Sequence, residues 1–399
     1  MTGKPCAARD GQRRPPLEVA DIFRSAATAF RESYVPTTDQ LKVLFAILLC
    51  RTARLGGHLD VCKNCGHETP AYNSCRNRHC PKCQSLVQAR WIEQRRQRIV
   101  PTKYFHVVFT LPQELRALAR KNPKKIYDLV LVSAARTLLD FGRSRLHAEV
   151  GVTCVLHTWT RDLRYHPHAH CIVTAGGLDD DGHWVPARSR FLFPVKAMST
   201  VFRGKLLEGL GELYQKHKLT LEGSCADLAV PAKFTDLRNR LYEKAWVVYA
   251  KQPFGGPEQI FAYLGRYTHR VGLSNQRLVS FDGHEVCFRT KHGNTCTIPA
   301  LEFVRRFLLH VLPSRFVKIR HYGLVAAANV GTKLETARRC LEAPRPPQAS
   351  AAMPQSSWRE MLFALTGIDL LLCPVCGAKA MERRPLPASS PSLRGFDTS

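Results

Sequence analysis

Acidic side chains are scarce in this sequence. Against 59 Lys and Arg stand only 32 Asp and Glu, a formal net charge of +27 and a sequence pI near 9.9. So lopsided a balance points to a polyanionic partner, and nucleic acid comes first. No apolar run approaches the length a transmembrane helix needs. Met1 to Pro16 is polar and basic, without the apolar core of a signal peptide, and no amphipathic basic anchor is visible. The expectation is therefore a protein without a membrane partner. What is plentiful is cysteine: fifteen, several in Cys-x-x-Cys pairs. In a chain of 399 residues these read as metal ligands and reduced thiols rather than a disulfide framework, which places the protein in the cytoplasm. The length allows two or three domains, and a mean hydropathy of −0.20 is ordinary for a globular chain.

The cysteines concentrate in residues 58–83. Cys62-x2-Cys65-Gly and Cys80-Pro-x-Cys83 form two knuckles separated by fourteen residues. Paired thiolates on tight turns, with Gly66 and Pro81 suited to those turns, fit one tetrahedral structural Zn²⁺. The competing reading is a pair of redox dithiols. His58, Cys75 and His79 lie close enough to replace a ligand or to serve a second ion. From Arg51 to Tyr104 eleven Lys and Arg face three acids, so the module is expected to hold a nucleic-acid backbone. Its candidate contacts are Arg76, Arg78, Arg90, Arg95 and Arg96; the plainer alternative is a solvated helical face.

Ahead of the knuckles, Val19, Ile22, Phe23, Ala26, Ala27 and Phe30 recur at helical spacing. A second helix, capped by Thr37 or Thr38, carries Leu41, Leu44, Phe45 and Leu48. Beyond the knuckles, Tyr104–Pro112 reads as a strand, residues 113–147 as helices broken at Asn122-Pro123, and Val152–Trp159 as a second strand. A short polar link leads to Leu163-Arg-Tyr-His-Pro-His-Ala-His-Cys-Ile-Val-Thr174. On a strand, His168 and His170 project from one face, which is half of a divalent-metal site rather than merely a histidine-rich edge. If the two strands pair as a hairpin, His157 lies opposite His168 and is the first candidate for a third ligand; a one-residue slip would turn it away. His166 precedes Pro167 and is expected to fall outside the regular strand. Asp179-Asp-Asp-Gly182 is a turn lacking the rest of a Ca²⁺ loop.

Helices are expected around 196–219 and 235–250. After Phe254-Gly-Gly-Pro a further helix reads Glu258-Gln-Ile-Phe-Ala-Tyr263-Leu-Gly-Arg-Tyr267-Thr-His-Arg270. Tyr263 and Tyr267, at i and i+4, leave the same helical face, with Arg266, His269 and Arg270 beside them. Alone this is an amphipathic helix with two interfacial tyrosines. Beside a metal site, each phenol becomes a nucleophile for a phosphodiester, giving a 5′-phosphotyrosine and a free 3′-OH.

Pro167-His-Ala-His170, followed by Tyr263-Leu-Gly-Arg-Tyr267-Thr-His-Arg270, resembles the two-tyrosine HUH transposases of the insertion sequence 91 family. Ser74-Cys-Arg-Asn-Arg-His-Cys-Pro-Lys-Cys83 is similar to that family's N-terminal zinc domain, and Glu302–Pro313 with Ile319–Leu324 to its downstream segment. The resemblance spans about residues 17–325. It implies an α+β fold, with an HUH nuclease-type central antiparallel sheet and packed helices preceded by a helical, zinc-ribbon-like domain. It further implies rolling-circle transposition through single-stranded DNA in the bacterial cytoplasm, at the nucleoid, on element ends and target. His168 and His170 would bind Mg²⁺ or Mn²⁺ and Tyr263 and Tyr267 would be the nucleophiles. Besides His157, the third ligand could be Glu258 or Gln259. The same chemistry would serve a rolling-circle replication initiator or relaxase, and a non-catalytic zinc DNA-binding protein derived from a transposase would keep the module alone.

Residues 278–299 alternate as a hairpin turning at Asp282-Gly283. Residues 300–312 form a helix offering Arg305 and Arg306 to DNA, with Arg266 and Arg270 as further candidates. The expected division is a disordered 1–16, a helical and zinc-binding domain over 17–100, a nuclease domain over 101–325, and 326–399 as linker, short helix, half a zinc site at Cys373-Pro-Val-Cys376, and disordered tail.

Overall fold

The computed structural model describes residues 16–83, 89, 98–187, 193–254, 272–291, 293–341, 359–360, 362–363 and 367–387. They fall into two compact units that interleave along the chain: 1–90, 269–309 and 349–399 contribute to one, 91–268 and 310–348 to the other. The expected division in sequence order differs from these units, because residues 269–309, inside the expected nuclease domain, and the C-terminal cysteines belong to the first unit.

In the first unit the helix Val19–Ser33 buries Val19, Ile22, Phe23, Ala26 and Phe30, one stripe at helical period. Val35-Pro36 ends it, and Thr37 caps the next helix, Thr38–Leu49, in a reciprocal capping box with Gln40. The helix Ala300–Leu308 buries Phe303, Val304, Phe307 and Leu308. Phe23 meets Phe307 edge-on, ring centroids 5.3 Å apart. Two small antiparallel sheets complete the unit. One consists of β1 (Gly57–Cys62), β2 (Glu68–Tyr72) and a third strand from the C-terminal segment; the other lies around residues 278–299.

The second unit is built on a sheet whose strands are β3 (Tyr104–Thr110), β4 (Glu149–Trp159), β5 (Tyr165–Leu178), β6 (Trp184–Pro186) and β7 (Val248–Phe254). Chain order then supplies β8 (Leu278–Phe281), β9 (Glu285–Arg289) and β10 (Thr295–Pro299) to the first unit, so the expected hairpin gains a third strand. β11 (Ile319–Gly323) belongs to the large sheet, and β12 (Met381–Leu386) is the strand that pairs with β1. The large sheet runs β11-β4-β5-β3-β7, with β6 paired to β5; its pairings are antiparallel.

Alternation sorts the strands into two faces. Phe105, Val107, Phe109, Leu156, Ala169 and Cys171 are buried on one; there Phe109 meets Phe202 of the helix Val195–Gln215, centroids 4.8 Å apart. The other face carries Tyr104, Val155 and Ile172, covered by Leu334 and Ala337 of the helix Lys333–Cys340, a stretch expected only to lead into a linker. The helix expected over 235–250 ends early: Pro231–Glu243 is helical, and Val248–Phe254 pairs with β3. Successive Val247, Val248 and Tyr249 suit a strand better than a helix, because their side chains lose rotamer freedom against a helical turn. The expected helix near 357–366 is represented by its described residues, 359–360 and 362–363, which are helical.

His310 fastens the hairpin that carries the histidine strand. Its Nε2–H donates to the Leu163 carbonyl at 3.0 Å, and Leu163 sits at the β4–β5 turn with φ of 61°. The Thr158 hydroxyl lies 3.3 Å from its Nδ1. Burial pushes the His310 pKa down from 6.5 to about 4, so the folded protein holds the ring neutral. The unfolded chain then binds the extra proton first as pH falls. This contribution to stability is therefore complete above about pH 6.5 and is lost as pH drops toward 4. Between pH 7.5 and 4.5, wild type is expected to lose about 2–3 kcal/mol more than His310→Gln, read from urea denaturation at each pH. Parallel losses would show that the ring is not the titrating group.

Candidate metal and cysteine sites

β4 and β5 are in register at His157↔His168 and Val155↔His170. This brings His157, His168 and His170 together, one ring nitrogen of each lying within 4.8 Å of the others. The ring centroids of His157 and His170 are 4.4 Å apart, and those of His168 and His170 are 4.7 Å apart. His168 Nδ1 is 2.6 Å from the His166 carbonyl, to which it must donate, so Nε2 keeps its lone pair. His170 Nδ1 lies 2.8 Å from Nε2 of His106 on β3, a buried ring stacked on it at 7°. Imidazoles whose outer nitrogens are held this way present the inner nitrogen in a fixed direction, as ligating histidines do. Burial lowers the pKa of His168 and of His106 to about 4 and that of His170 well below 6.5. The rings are neutral, the form that binds metal. Three converging imidazoles fit a divalent transition ion.

His166 is inside β5, contrary to the expectation from Pro167. Pro167 carries no N–H, yet its carbonyl accepts from Leu111 at 3.0 Å, beyond the end of β3. Arg116 Nη2 lies 2.8 Å from His166 Nδ1, and His166 is not among the three clustered nitrogens. Glu258, Gln259, Tyr263, Arg266, Tyr267 and Arg270 lie outside the described residues, as do Arg90, Arg95 and Arg96.

The four cysteines expected to share one ion are divided. Cys80 and Cys83 join Cys50 and Cys75, while Cys62 and Cys65 join Cys373 and Cys376. The reason is topological: Cys62 ends β1 and Cys65 follows in its turn, whereas the loop after β2 carries Cys75, Cys80 and Cys83 back to the end of the helix Thr38–Leu49, where Cys50 is buried. Cys50 and Cys83 sulfurs are 3.2 Å apart and Cys75 and Cys83 are 3.6 Å apart. Tetrahedral Zn–S bonds of about 2.3 Å separate sulfurs by roughly 3.8 Å, so the set fits zinc. A hydrogen bond with Cys75 pulls the Cys50 thiol down to about 7, and bonds led by that from Cys50 pull Cys83 further. Cys50 escaped the sequence reading because it lacks a Cys-x-x-Cys partner; His106 escaped it because a lone histidine in a strand gives no signal of its neighbour. His58 sits 3.5 Å from Asp60, and neither His58 nor His79 is in a cluster.

The knuckle is fastened to the first helix by an ion pair of Lys82 with Glu18, whose side chains are only 6% and 7% exposed. Glu18 also forms the capping box with Asp21. Removing one partner strands a buried charge, so Lys82→Ala is expected to cost about 3 kcal/mol and Glu18→Gln/Lys82→Met much less. Equal losses in chemical denaturation would contradict this.

Among the arginines offered to DNA, Arg76 is exposed, with φ of 53°, whereas burial lowers the pKa of Arg78. Arg305 and Arg306 are less available than expected. Both bond Glu302, at 2.5 and 2.6 Å, and their hydrogen bonds, Arg305's first, pull its carboxyl down to about 2.

Comparison with known proteins gives a consistent picture. A family profile described as "Transposase zinc-binding domain" matches residues 22–111, and one described as "Putative transposase" matches residues 151–332. "Putative transposase y4qJ" of Sinorhizobium fredii is 43% identical over 369 residues, covering 90% of this chain and 92% of that protein. "Transposase for insertion sequence element IS801" of Pseudomonas savastanoi pv. phaseolicola is 27% identical over 349 residues, covering 85% and 82%. No solved structure matches. Among the described residues no helix is long and apolar enough to cross a membrane.

Proposed function

The chain belongs to the insertion sequence 91 family of transposases, and from that premise we propose that it cuts and rejoins single-stranded DNA through Tyr263 and Tyr267 beside a divalent ion held by His157, His168 and His170. The observation that carries this reading is the convergence of the three imidazoles across β4 and β5. A transposase acts on DNA, and the net charge of +27 suits that partner. The compartment we infer is the cytoplasm, at the nucleoid.

A divalent ion there supplies Lewis-acid polarisation of the scissile phosphate and neutralises charge on the departing oxygen. Imidazole donors favour a transition ion over Mg²⁺, so of the two expected ions Mn²⁺ suits the set better. The sheet fixes the direction of the donors; His106 and the His166 carbonyl keep two of the rings from turning. One tyrosine oxygen bonds to phosphorus, the P–O3′ bond breaks, and the phenol's proton passes by way of solvent to the 3′ oxygen. The product is a 5′-phosphotyrosine and a free 3′-OH. Because the phosphodiester energy is kept in the protein link, attack by another 3′-OH rejoins the strand. The second tyrosine holds or makes the second break while the first remains loaded.

The test is nicking of single-stranded oligonucleotides from the element ends, titrated with Mn²⁺ and Mg²⁺. Half-maximal rate is expected at lower Mn²⁺ than Mg²⁺, with His157→Ala shifting both upward. Cleavage without added metal after chelation, or a His157→Ala titration identical to wild type, would contradict the assignment.

A further inference from the structure

Cys373 and Cys376 lie beyond the segment matched by the zinc-binding profile, which ends at residue 111. They sit nonetheless against Cys62 and Cys65, with Cys62–Cys376 sulfurs 3.7 Å apart and Cys65–Cys373 sulfurs 3.6 Å apart. All four lie within 4.8 Å of one another. These separations match the roughly 3.8 Å between sulfurs on a tetrahedral zinc and are far longer than a disulfide's ~2.05 Å bond. The two pairs come from segments 308 and 314 residues apart in sequence.

Each pair is carried on the same turn. After Cys62-Lys-Asn-Cys65, Gly66 takes φ of +72° and its N–H donates to the Cys62 carbonyl at 2.9 Å, while the Cys62 N–H donates to the His67 carbonyl at 2.8 Å. After Cys373-Pro-Val-Cys376, Gly377 takes φ of +71°; its N–H donates to the Cys373 carbonyl at 2.9 Å and the Cys373 N–H to the Ala378 carbonyl at 2.9 Å. A left-handed residue in each place needs glycine. Two such turns facing each other are the knuckles of a zinc ribbon, each directing two sulfurs to a common point.

The strands behind the knuckles are joined too. β12 pairs with β1 from Gly57↔Leu386 to Cys62↔Met381, and Lys63 N–H donates to the Ala380 carbonyl at 2.9 Å. Arg383 grips Asp60 with Nε at 2.9 Å and Nη2 at 3.3 Å. The C-terminal segment thus enters as an edge strand and as half of a ligand set. Asn64 Nδ2 lies 3.6 Å from the Cys376 sulfur, as a donor to a thiolate would.

We propose that Cys62, Cys65, Cys373 and Cys376 bind a second structural zinc, distinct from the one at Cys50, Cys75, Cys80 and Cys83, which makes residues 367–387 part of the N-terminal zinc module. Four sulfurs fill the tetrahedron, so the ion takes no part in catalysis. On binding, the thiols release their protons to solvent. The assignment does not depend on the DNA chemistry.

A thiol-specific mercurial added to the full-length protein releases thiolate-bound zinc and leaves histidine-bound ions uncounted. Two zinc per chain are expected, falling to one in Cys373→Ser/Cys376→Ser and to one in Cys50→Ser/Cys83→Ser. Cys376→His, which keeps a zinc-binding nitrogen, is expected to retain two. One zinc in wild type, two in Cys373→Ser/Cys376→Ser, or iron in place of zinc by elemental analysis would overturn the proposal. Where a variant does not fold, wild type decides it: trypsin with and without a zinc chelator is expected to free the segment containing Cys373 only after chelation, and release at the same rate in both would overturn the proposal.

Discussion

Stripping zinc with a chelator is expected to unfold the segments that carry both cysteine clusters while the sheet of β3, β4, β5, β7 and β11 stays folded. Structural zinc contributes an apparent ~10–16 kcal/mol of folding free energy at neutral pH in small zinc modules. The sheet of β1, β2 and β12 is short; β2 is largely exposed, so little apolar burial in that sheet replaces the lost ion. The histidine-bearing sheet has its own core on both faces. Hydrogen exchange read by mass spectrometry checks both halves of this statement. Protection is expected to vanish over residues 57–83 and 381–386 and to persist over 149–178. Uniform loss would mean that the two units fold as one, and no loss would mean that the thiols are not metal-bound in the folded protein.

The other large effect concerns the histidines. His168→Ala is expected to reduce metal-dependent cleavage by about a thousandfold or more, since the ion's charge stabilisation is worth several kcal/mol and about 4 kcal/mol corresponds to that factor. His106→Ala should behave differently. It removes a ring that holds His170 rather than a ligand, so metal affinity falls about 10–100-fold and saturating Mn²⁺ restores most of the rate. Cleavage is measured on single-stranded oligonucleotides across a metal titration. A His106→Ala defect that no metal concentration relieves would place that ring in a different role, and a His168→Ala protein of near-normal rate would remove the ion from the mechanism.

Much of this was legible in the residues because local periodicity wrote it. The alternation of His168 and His170 with buried Ala169 specifies a strand with one polar face, and the short link before it specifies a hairpin; the residues leave open both the register that brings His157 across and the place of His166 in the strand. The helix Val19–Ser33 and the break at Asn122-Pro123 follow from spacing and from proline's fixed φ. What escaped were associations over long sequence separations. Spacing pairs Cys62 with Cys65 and Cys80 with Cys83, and nothing local says that β1 and the following loop carry these pairs to different places. Cys50 needs the end of a helix folded against the loop; Cys373 and Cys376 need a strand returning from the far end of the chain. Arg305 and Arg306 looked available because sequence shows their charge but not the carboxylate of Glu302 gripping both.

If Tyr263 and Tyr267 cut the strand as proposed, the cut DNA stays covalently linked to the protein. Labelled single-stranded oligonucleotides from the element ends, incubated with Mn²⁺ and run on a denaturing gel, should leave label attached to the protein. The expected adduct requires metal, survives in at least one of Tyr263→Phe and Tyr267→Phe, and is absent from the double variant. An adduct that persists in the double variant, or tight DNA binding with no adduct on any strand under any metal, would contradict it.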